Sequence, residues 1–96
     1  TESIMDKEMN KQSLKESLSI LSTDERLNLA INTYFVEILE VFSEDEDWQI
    51  RACVANNPHT PSSILFKLKT DDADSVKYTA EKSLSERKSS KYDIDR

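Results

Sequence analysis

Residues 45–77 read DEDWQIRACVANNPHTPSSILFKLKTDDADSVK, and the fold is decided here. The punctuation falls at Asn56, Asn57, Pro58, His59, Thr60 and Pro61. Pro58 disfavours helical geometry at Asn57, and Asn tolerates a turn. Thr60 followed by Pro61 has the composition of a helix start, with Thr as N-cap and Pro at the first helical position. Ile64, Leu65 and Leu68 then form one apolar face. Before the loop, Ile50, Cys53 and Val54 form another. The expectation is helix, tight Asn-Pro loop, helix.

The pattern recurs along the chain. Ile38, Leu39, Phe42, Asp45, Ile50 and Arg51 match Ile64, Leu65, Leu68, Asp71, Val76 and Lys77, each twenty-six positions later. Arg26, Leu29, Ala30 and Asn32 stand twenty-five positions before Arg51, Val54, Ala55 and Asn57. A period of roughly 20–50 residues marks arrays in which each unit buries its face against its neighbours. Charged, apolar and Asn positions recur together, which apolar spacing alone does not require.

Within this pattern, IRACVANNPHTPSSILFKLKTD resembles the variant leucine-rich repeat, whose unit runs close to V-R-x-x-V-A-x-N-P-x-T-P-x-x-x-L-x-x-L-x-x-D. Ile50 and Arg51 stand at the opening V-R, Val54 and Ala55 at V-A, Asn57 and Pro58 at N-P, and Thr60 and Pro61 at T-P. Leu65, Leu68 and Asp71 complete the unit. The flanking units depart from it: residues 26–50 lack both prolines, and residues after Ala80 diverge. The resemblance implies an all-α fold, a short right-handed stack of about four to five helices similar in shape to HEAT repeats. The best-known member carries an iron–sulfur cluster on a separate Cys-rich segment; this chain has one Cys, so the cluster is not carried over and no cofactor is expected.

With 96 residues the chain is expected to be one domain. A chain of this size buries roughly 60–65% of its unfolded surface, enough for a small core. The sequence holds no Gly, which disfavours hairpin turns, phosphate loops and dinucleotide fingerprints. A flexible segment is expected over 1–12, the repeat domain over 13–88 with units near 26–50, 51–76 and 77–88, and a mobile polar tail over 89–96. Leu14, Leu18 and Leu21 are spaced for a helix from Ser13. Ser22 and Glu25 have capping-box spacing, and the apolar positions from Leu27 to Phe42, including Ile31, Tyr34 and Phe35, favour one continuous or merely bent helix over 24–42 rather than two. Val76, Ala80 and Leu84 mark the last helix.

The net charge of −6 disfavours phosphate-backbone binding and anionic membranes. No run approaches the ~20 apolar residues needed to span a bilayer. The single Cys53 excludes an internal disulfide and suits a reducing cytoplasm. The run Ser43-Glu44-Asp45-Glu46-Asp47 lacks the Gly and the distal Glu of a calcium loop, and reads as acids at the positive start of a helix; so do Asp71, Asp72 and Asp74. Cys53 reads as a buried structural thiol and His59 as a loop residue; one Cys and one His make neither a nucleophile with its base nor a zinc site. Trp48 is expected to pack between units, with a surface anchor as the alternative. Arg51 and Lys77 recur in register and are expected to pair with acids such as Asp47 or Asp74.

No catalytic or metal site is read from these residues. The expected function is a non-catalytic protein–protein interaction module or small adaptor, with another protein, or a second copy, as partner and no membrane. Candidate partner-binding residues are Trp48, Arg51, His59, Lys77, Asp45, Asp47, Asp72 and Asp74. The alternative is an acidic nucleic-acid mimic whose carboxylates occupy the basic groove of a DNA- or RNA-handling protein.

Overall fold

The structure, a computed structural model, describes the backbone of residues 2–94 and the side chains of residues 11–87. It is all-helical: α1 (Glu2–Ser19), α2 (Thr23–Asn32), α3 (Val36–Phe42), α4 (Trp48–Asn56), α5 (Ser62–Leu68) and α6 (Asp74–Ile94). Among the described residues there is no strand. The side chains of the first ten residues and of Tyr92 and Ile94 in the polar tail lie outside the described residues.

Among the described residues there are six helices rather than four to five, because residues 24–42 do not form one helix. Asn32 ends α2 and Val36 begins α3. Thr33 is extended at φ −70° and ψ 148°, and its N–H donates to Leu29 O. In a continuous helix Tyr34 N–H would bond to Ala30 O; here Asn57 Nδ2 donates to Ala30 O at 2.9 Å and to Thr33 O at 2.8 Å. The break is therefore satisfied from a distant part of the chain and needs neither Pro nor Gly. Thr33 Oγ1 also accepts from Phe35 N–H at 3.1 Å, fixing the turn locally.

The Asn-Pro loop is present, but Thr60 does not cap α5. Pro61 is the N-cap, without a side-chain bond. The Thr60 hydroxyl, buried, donates backward to Val54 O at 2.6 Å, a second donor to a carbonyl at the end of α4 that also accepts from Asn57 N–H. The Ser22–Glu25 capping box forms in full: Glu25 N–H donates to Ser22 Oγ and Ser22 N–H to Glu25 Oε1. Asp47 caps α4 by accepting from Gln49 N–H at 2.9 Å. No described residue has positive φ, so a chain without Gly makes all these turns in ordinary conformations.

Leu18, Ala30, Leu39, Phe42, Ile50, Val54, Ala55, Ile64, Leu65, Leu68, Val76 and Ala80 form the buried core, with Leu14, Leu21, Cys53 and Leu84 packed partly against it. Helix α4 lies between α2 and α6, α5 packs on α6, and α1 packs on α3. A fully buried Leu or Ile contributes roughly 1.5–3 kcal/mol, so α4, which buries Ile50, Val54 and Ala55, anchors both neighbours.

Two details recur. The turn after α3 and the turn after α5 are built alike. Ser43 N–H and Lys69 N–H each donate to the carbonyl four residues before them, Glu44 N–H and Thr70 N–H each donate to the carbonyl three residues before them, and Asp45 Oδ1 and Asp71 Oδ1 each accept from the N–H two residues on. The Asn57 tie to Ala30 O has its counterpart at the next junction, where the Ser83 hydroxyl donates to Ala55 O at 2.6 Å. Ser83 stands twenty-six positions after Asn57.

Candidate interaction surface

Exposed apolar side chains concentrate where α2 gives way to α3. Ile31 is 53% exposed, Tyr34 65% and Phe35 54%, and Val36 joins them. The Tyr34 and Phe35 rings lie 4.7 Å apart between centroids, and the His59 ring meets the Tyr34 ring edge-on at 6.1 Å. Such contacts favour a fixed arrangement of rings. The backbone beneath is also fixed. Asn57 is buried; its amide nitrogen holds the α2–α3 turn, and its Oδ1 accepts from His59 N–H at 2.8 Å. One side chain thus joins the turn carrying Tyr34 and Phe35 to the loop carrying His59. The result is an apolar ledge on a rigid frame, which loses little conformational freedom when a partner covers it.

The charged residues occupy the other end of α4, on the order of 13 Å away along a nine-residue helix. Arg51 does not pair with Asp47 or Asp74. Its Nε donates to Asp71 Oδ2 at 2.8 Å and its Nη2 to Asp71 Oδ1 at 3.0 Å, a bidentate pair, while Nη1 donates to the carbonyls of Asp45 and Glu46. Asp45 accepts from Arg26 Nη1 at 2.8 Å. This pair is single-handed, and Arg26 Nε is buried without a partner. Glu44 accepts from Lys67 Nζ at 2.9 Å on the surface.

Burial opposes ionisation of Asp71, but the Arg51 guanidinium and the Ala73 N–H outweigh it and hold its carboxyl below the ordinary Asp range. The same hydrogen bonds raise Arg51 further, against its own desolvation. Burial, with Asp47 adding to it, pushes the Cys53 thiol up, so at neutral pH it is a thiol rather than a thiolate.

The residues expected from sequence to bind a partner are thus divided between two places. His59 sits on the apolar ledge, exposed. Trp48 does not pack between helices; it begins α4 at the opposite end and is 46% exposed. Asp45, Asp47 and Arg51 are engaged within the fold, and Asp72, Asp74 and Lys77 are exposed around the start of α6. Ile31, Tyr34 and Phe35 were expected in the interior of a continuous helix and stand at the surface instead. The available signal was the register itself: Tyr34 precedes His59 by twenty-five positions, so the repeat alignment places it in a loop.

Among the described residues no three His, Cys, Asp or Glu side chains converge as a metal ion would need, and no helix is long and apolar enough to cross a membrane. Comparison with family models, curated proteins and solved structures finds no match to this chain.

Proposed function

We propose that this chain is a non-catalytic protein-interaction module, a short stack of helical repeats that presents the Ile31–Val36 ledge to an apolar surface of another protein. The observation that carries this reading is the cluster of exposed aromatic and aliphatic side chains held on a hydrogen-bonded frame at Asn57. Soluble proteins expose single apolar residues freely, but a contiguous group on a rigid turn is the form an interaction site takes. Aromatic anchors contribute most in such interfaces.

A repeat architecture of the variant leucine-rich kind is part of the same reading. It is supported by the central unit's N-P and T-P positions and by two arginines in register, Arg26 and Arg51, each tied to an aspartate that follows the next helix. It is supported equally by the cross-helix donors in register, Asn57 and Ser83. A non-catalytic role fits a protonated Cys53 on α4 and a lone His59 on a loop.

A second reading has its own observation. With Arg26 and Arg51 committed to Asp45 and Asp71, the carboxylates of Glu46 and Asp72, in the turns before α4 and α6, and of Asp74, at the start of α6, remain exposed. Those carboxylates are what an acidic mimic of a phosphate backbone would present to a basic groove.

Nuclease-treated affinity capture separates the two. The baits are the native chain, Tyr34→Ala/Phe35→Ala, and Glu46→Gln/Asp72→Asn/Asp74→Asn, each with its helix content checked by circular dichroism. The module reading expects one stoichiometric partner, lost only with the ring variant. A nucleic-acid-handling partner lost only with the charge variant would establish the mimic. A folded native bait that captures nothing would overturn both.

A further inference from the structure

We draw no further inference here: the strongest candidate, the open cleft between α1 and the α3–α4 turn lined by Lys15, Leu18, Arg26, Glu44, Glu46 and Asp47, is an acidic cluster largely occupied by its own ion pairs and by the capping of α4, and no second observation points to a ligand there.

Discussion

Asn57 joins three points of the chain through one buried side chain. Its side chain supplies donors to two buried carbonyls and an acceptor to one N–H. Removing it leaves Ala30 O and Thr33 O without those donors, and an unsatisfied buried group costs about 1–3 kcal/mol. Asn57→Ala is therefore expected to lower stability by about 2–4 kcal/mol in urea denaturation; a loss below about 0.5 kcal/mol, the range of neutral surface changes, would contradict the role.

The two arginines separate by geometry. Arg51 makes a bidentate pair with two further carbonyl bonds, whereas Arg26 makes one contact and leaves Nε unpaired. Arg51→Ala is expected to cost about 2 kcal/mol and Arg26→Ala about 1 kcal/mol or less. Equal losses would show that the guanidinium geometry is not what counts.

The pair also carries a pH signature. The Asp71 carboxyl is depressed in the folded state, so its contribution is fully present above the ordinary Asp value and is lost as pH falls through the lowered folded value. Arg51→Ala is expected to flatten the acid limb of the stability curve below about pH 4, where an ordinary Asp titrates. An unchanged acid limb in that variant would remove the linkage from Asp71.

At the scale of the element, the α2–α3 break is the alternative that sequence reading did not favour. Helix starts and stops are legible where they are written in local chemistry. Ser22 with Glu25, Asp47 before Trp48, and Asn57-Pro58 all act within a few residues of themselves. The end of α2 is written elsewhere, in an Asn twenty-four residues beyond Thr33. A span with helical apolar periodicity and neither Pro nor Gly reads locally as one helix, and only the repeat register points to the break. Thr60 misled in the opposite way: Thr before Pro has the composition of an N-cap, yet its hydroxyl serves the preceding helix. For Trp48, size and apolarity favoured the interior, but the first turn of α4 places it at the rim.

The break makes a sharp prediction. Phe35 is the N-cap of α3 at φ −82°, the position that Pro61 holds before α5, twenty-six residues later. Phe35→Pro gives up the N–H bond to Thr33 Oγ1 but fits the backbone, so thermal unfolding is expected to show a loss of about 1 kcal/mol or less. Inside a continuous helix the same change would cost about 3 kcal/mol or more, and a loss of that size would restore the unbroken helix.

For the whole molecule, α2 differs from α4 and α6 at the matched positions. At the positions where α4 and α6 bury Ile50 and Val76, α2 has Glu25, exposed and engaged in its capping box. Where the buried Asn57 follows α4, α2 has Asn32, exposed and bonded back to Asn28 of its own helix. This face of α2 is closed by polar side chains, as terminal units of stacked helices are. The ledge, by contrast, lies at the α2–α3 turn and is open to solvent. Association of two copies through this face of α2 is therefore disfavoured, and light scattering at micromolar concentration is expected to show no dimer that Glu25 and Asn32 would have to close.

The most direct test of the central claim measures the affinity of the captured partner by titration calorimetry at low and at moderate salt, for the native chain and for Tyr34→Ala/Phe35→Ala. An apolar interface at the ledge predicts at least a tenfold weaker complex in the variant, about 1.4 kcal/mol, and little change with salt in the native chain. An undiminished affinity in the variant, with a steep loss on adding salt, would contradict it and place the contact on the acidic turns instead.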